Sequence, residues 1–98
     1  MSRATQAVGW HGDRLRRARA WAMRNLGWTC WLCGHTIADA SDYTIDHVVP
    51  LSENLTLAWD VTNWRPAHGR SHPELGCTGN YGRGARKPRR VQRASRAW

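Results

Sequence analysis

The chain has 98 residues, with 15 Lys and Arg against 7 Asp and Glu, for a formal net charge of +8. That length suits one domain whose core is small enough for a structural metal to matter. The estimated pI of about 11.0 favours a polyanionic partner, nucleic acid above all. No apolar run approaches the roughly 18 residues of a membrane span. The polar, glycine-broken residues 1–12 carry no signal-peptide pattern, so the expected setting is cytoplasmic and reducing, with no membrane partner.

Residues 1–12 read as a loose, flexible start. Asp13 can cap a helix over residues 14–26, which Gly27 would end. Leu15, Ala18, Trp21, Ala22 and Leu26 fall near helical spacing and predict one buried stripe. Arg14, Arg16, Arg17, Arg19 and Arg24 crowd the other positions, as either a solvated basic face or a phosphate-contacting one. With no phenylalanine and seven tryptophans, much of the core should come from Trp21, Trp28, Trp31, Trp59 and Trp64.

Cys30-Trp31-Leu32-Cys33-Gly34 has the C-x-x-C-G form of a zinc knuckle, where glycine relieves crowding as amides turn toward the sulfurs. An odd total of three cysteines argues against a secreted disulfide framework. A redox dithiol would need a βαβ setting that is missing here. Residues 43–51 read as a strand running into a loop closed by Pro50. Residues 57–65 predict a second, short strand, and residues 66–76 a loop rich in His, Gly and Pro. A last helix is predicted over residues 78–87, weakened by Gly79, Gly82 and Gly84. From Arg83 onward there are seven basic residues and no acid. That stretch reads as a tail that is disordered when free, contacting phosphates or merely solubilising the chain.

Three features follow in order: Cys30 with Cys33, the Asp46-His47 pair ending a strand, and Asn63 followed by His68 and Cys77. Each is weak alone. Together, over residues 14–87, they resemble the HNH endonuclease family, small members of which are frequent in bacteriophages. A basic helix precedes C-x-x-C-G, and Ile45-Asp46-His47-Val48-Val49-Pro50 is the most specific match. Asn63-Trp64-Arg65-Pro66-Ala67-His68 matches the approach to a second metal knuckle.

The resemblance implies an α+β fold: a ββα-metal core at residues 13–87 with an N-terminal helix and a structural zinc site, then a basic tail at 88–98. It implies Zn²⁺ on Cys30, Cys33, His68 and Cys77, the last being the remaining cysteine. His47 would be the general base, since imidazole can accept a water proton near neutral pH. Asp46 would bind a catalytic divalent ion, Mg²⁺ or another such as Mn²⁺. Asn63 would hydrogen-bond the backbone after His47.

The third family residue is ambiguous, because Thr78 and Gly79 follow Cys77 where the family places His or Asn. Asn80-Tyr81-Gly82-Arg83-Gly84 restores the family's Asn-x-x-Arg-Gly register and makes Asn80 the preferred second ligand for the divalent ion. His72, nine residues after Asn63, is the competitor, or else a ligand beside His68. His35 could be a spare ligand, and His11 has no assigned role. DNA contacts are expected from Arg14, Arg17, Arg83, Arg86, Lys87, Arg89 and Arg90. The functional expectation is a metal-dependent DNA endonuclease in an infected bacterial cell, with phage DNA processing or packaging beside a terminase as the role the resemblance suggests. The alternative is a non-catalytic zinc module that binds nucleic acid.

Overall fold

A computed structural model describes residues 3–81. Two helices, α1 (Arg3–Ala7) and α2 (Gly12–Asn25), precede an antiparallel pair of strands, β1 (Tyr43–His47) and β2 (Trp64–His68). This is a small α+β arrangement, as expected. Among the described residues no helix is long and apolar enough to cross a membrane.

The start of the chain departs from the loose segment read from the sequence. It folds into α1, and Trp10 behind it is only 8% exposed. Trp10 packs at 4.6 Å from the Trp59 ring and 5.6 Å from Trp64. The Trp59 indole N–H donates to the Val8 carbonyl at 2.8 Å, which ties the segment down. Burying a ring of this size offsets the entropy of ordering a short terminal segment.

Helix α2 begins two residues earlier than predicted. His11 is the N-cap and its side chain makes no cap bond. Asp13 therefore lies inside the first turn, where it pairs with Arg16 and meets the positive end of the helix dipole. The predicted stripe holds. Ala18 and Ala22 are buried, while Leu15, Trp21 and Leu26 pack partly buried against the same core. Gly27, at φ +82°, ends the helix in the left-handed region that favours glycine. Arg19 leaves the basic face: its guanidinium donates to the Tyr43 and Ala40 carbonyls and fastens α2 to the start of β1.

The second strand lies later than predicted. Residues 61–63 form a 3-10 turn and pairing begins at Trp64, so Pro66 stands inside β2 opposite Ile45. Val48 N–H to Asn63 O and Gly69 N–H to Asp42 O set the phase of the ladder. In that phase the backbone of residue 66 points away from β1, where a missing N–H costs nothing. This outer edge is covered by the cysteine knuckle: Trp31 N–H donates to Pro66 O at 3.0 Å, and His68 N–H to Cys30 Sγ at 3.3 Å.

Short loops are fixed by a repeated device. Asp39, Asn54 and Asp60 each accept from the backbone N–H and hydroxyl of the Ser or Thr two residues on. Of the predicted final helix, residues 78–81 are turn and extended chain, and residues 82–87 lie outside the described residues. Gly79 has φ +77°, and a Cβ there would stand 2.4 Å from the Arg70 carbonyl oxygen. Gly79→Ala should therefore destabilise the fold by about 2 kcal/mol or more, through steric overlap and backbone strain together. Thermal unfolding would read this as a Tm drop of several degrees.

Candidate metal centre and active site

The four residues expected to hold zinc come together. The ligand atoms of Cys30, Cys33, His68 and Cys77 all lie within 4.8 Å of one another. Three elements supply them: the knuckle gives Cys30 and Cys33, the last position of β2 gives His68, and the loop behind it gives Cys77. The knuckle closes through Gly34 N–H to Cys30 O at 2.7 Å, with Gly34 at φ +83°. The second half closes through the paired backbones of His72 and Cys77.

The spacing fits a tetrahedral ion. With Zn–S near 2.3 Å and Zn–N near 2.0–2.1 Å, tetrahedral geometry implies S···S about 3.8 Å and S···N about 3.6 Å. Cys30 Sγ and Cys77 Sγ are 3.8 Å apart, and Cys33 Sγ and His68 Nδ1 are 3.6 Å apart. Burial pushes the Cys77 thiol up to about 12 and raises the Cys33 thiol as well. Thiolates crowded here need a cation, and a metal such as zinc supplies one. His35 is exposed and outside the cluster; it contributes its carbonyl, which accepts from Cys30 N–H. Exposed His11 remains only a helix cap.

His72 is brought to the metal cluster. Its ring centroid is 4.4 Å from that of His68, and Asp42, His68 and His72 form a second group of close ligand atoms. His72 Nε2 bonds Asp42 Oδ2 at 2.7 Å, and Nδ1 faces Glu74 at 3.3 Å. The Asp42 hydrogen bond is the main reason that His72 holds its proton more tightly than usual. Burial pushes Asp42 up, but hydrogen bonds from Arg70 N–H and His72 outweigh it and bring the carboxyl below its ordinary value. Asp42 also accepts, through its own carbonyl, from Gly69 N–H. It thereby clamps the loop that links His68 to Cys77.

His47 ends β1 and is 6% exposed. Its ring stands edge-on to Trp10 at 4.6 Å. Nε2 lies 3.0 Å from Ala58 O, which also accepts from the Trp64 indole at 2.8 Å. A carbonyl only accepts, so Nε2 carries the hydrogen of the neutral ring and the basic lone pair falls on Nδ1. Asn63 makes the expected backbone contacts. Its Oδ1 accepts from Val49 N–H at 2.8 Å, and its Nδ2 donates to Val49 O at 3.1 Å. Asn63→Ala would leave these partly buried backbone groups unsatisfied, at about 1–3 kcal/mol. Denaturant titration should show that loss, and amide exchange should rise at Val49.

Asp46 is 2% exposed. Its Oδ1 accepts from His47 N–H at 2.9 Å and its Oδ2 from the Trp31 indole at 2.8 Å. Asn80 docks on the same strand, with Nδ2 donating to Thr44 Oγ1 and to Ile45 O. Neither group of His, Cys and carboxylate ligands found among the described residues includes Asp46. One carboxylate and one amide are few donors. They suit the mode in which Mg²⁺ keeps several waters and takes further oxygens from phosphates.

Of the expected DNA contacts, Arg14 and Arg17 are exposed on α2, and the Arg14 guanidinium also lies 3.8 Å over the Trp59 ring. Arg83, Arg86, Lys87, Arg89 and Arg90 lie outside the described residues. Sequence reasoning missed Trp10, Asp42 and the contact of Trp31 with Asp46. For Trp10 a signal was present: an apolar residue just before the helix cap, with Leu15 at the fourth helical position, is a staple pattern. No family model, curated protein or solved structure matches this chain.

Proposed function

We propose that the chain is a metal-dependent DNA endonuclease of the HNH type, built on a ββα-metal core held by structural Zn²⁺. The observation that carries this reading is the restraint around His47. Ala58 O fixes Nε2–H, and Asn63 grips Val49 through both of the peptide groups that flank it. Holding an imidazole this way costs a buried asparagine in so small a core, and a general base has use for that order.

In this reading His47 Nδ1 takes the proton of the attacking water. Asp46 and Asn80 hold the divalent ion, Mg²⁺ or Mn²⁺. When bound, such an ion offsets charge developing on the phosphate and the leaving oxygen. Arg14 and Arg17, with Arg83, Arg86, Lys87, Arg89 and Arg90, grip the phosphate backbone, so DNA affinity falls steeply with salt. A cytoplasmic role in phage DNA processing, beside a terminase or other packaging proteins, rests on the family resemblance alone. Co-purification with such proteins would test it.

The test is nicking of supercoiled plasmid by the zinc-loaded native chain. Cleavage should need added Mg²⁺ or Mn²⁺. A second reading, a zinc module that binds nucleic acid without cutting it, is favoured by the cover that Trp10 places over His47. Salt-sensitive DNA binding with no nicking under any divalent ion would establish that reading instead.

A further inference from the structure

Trp31 sits between the two cysteines of the knuckle, yet its indole reaches the carboxylate assigned above to the divalent ion. Its backbone N–H is fixed to Pro66 O at 3.0 Å, on the outer edge of β2. From there the ring reaches Asp46 on β1, and Nε1–H donates to Oδ2 at 2.8 Å. The ring is 6% exposed. The other Asp46 oxygen accepts from His47 N–H at 2.9 Å. The two donors engage different oxygens, so together they restrain the rotation of the carboxylate plane. Cys30 precedes Trp31 by one residue and Cys33 follows it by two. An ion that orders both cysteines removes the freedom of the residue between them.

We propose that Trp31 is a positioning residue: it transmits occupancy of the Cys30–Cys33–His68–Cys77 cluster to the Asp46 carboxylate and aims that carboxylate at a divalent cation. This inference rests on the endonuclease reading for the use of the cation, but not for the contact itself. Residues that orient a metal ligand from outside typically contribute 10–100-fold in metal affinity.

The test uses the full zinc-loaded chain and Mn²⁺ alone, without DNA, with free Mn²⁺ followed by electron paramagnetic resonance. Native protein should bind Mn²⁺, and Asp46→Ala should abolish that binding. Trp31→Phe, which keeps the ring but lacks the N–H, should weaken it by about tenfold at unchanged zinc content. In native protein the Trp31 indole N–H resonance should shift on addition of Mg²⁺, and again when Cd²⁺ replaces zinc in the folded chain. Equal Mn²⁺ affinity in native protein and Trp31→Phe overturns the inference and leaves the endonuclease reading standing. If native protein neither binds Mn²⁺ nor nicks DNA, both fall together. Should Trp31→Phe lose its zinc or fail to fold, the native indole resonance decides: no shift with Mg²⁺ or with Cd²⁺ in place of zinc overturns the proposal.

Discussion

Replacing His47 with alanine is expected to lower plasmid nicking by about 10²–10⁴-fold, the usual contribution of a positioned general base. DNA binding should change little, because His47 is not among the basic residues proposed to grip phosphate. The substitution also opens a space beside Trp10 and leaves Ala58 O with one donor, the Trp64 indole. A modest loss of stability should accompany it, so cleavage must be compared at a temperature where both proteins are folded. Free imidazole supplied in solution should enter that space and restore part of the rate. A histidine whose only task is packing would give no such recovery.

Metal removal should have a still larger effect on the fold. The cluster joins the knuckle, the end of β2 and the loop bearing Cys77. Binding of a structural zinc is worth on the order of 10 kcal/mol or more, comparable with the whole stability of a small domain. Chelation, or Cys30→Ser, should therefore leave a chain without a cooperative thermal transition, followed by circular dichroism alongside zinc analysis. Lowering the pH should release the ion, because protons compete for the sulfurs. The competition is sharpened by the burial that pushes the Cys77 thiol up to about 12. Full cooperative unfolding in a metal-free sample would show that the aromatic core suffices and that zinc has no structural role.

Local signals in the sequence carried well where the physics is local. The stripe of α2, the stop at Gly27 and the turn at Cys30–Gly34 depend on neighbours a few residues apart, and each is found. The metal cluster was legible because its donor types are few and their chemistry is restrictive. The start of β2 was not: Asp60 caps a 3-10 turn through Thr62, and that local bond delays pairing until Trp64. From Pro66 onward the sequence predicts a loop, whereas on an outer edge the missing N–H of proline is harmless and the strand continues to His68. His72 stood in the sequence between two roles, and only folding could join it to Asp42, thirty residues away. Trp31 looked like one more core ring, since nothing in C-W-L-C reveals a carboxylate fifteen residues downstream.

The cover on β2 has a consequence for handling the protein. While the knuckle is seated, Pro66 O and His68 N–H are occupied from within the chain. Loss of the ion would uncover that border and offer it to other copies, along with the tryptophan rings behind it. Stored without metal, the protein should turn cloudy with time. Pro66, unable to donate, would slow that self-association by breaking the row of bonds a neighbouring chain could form.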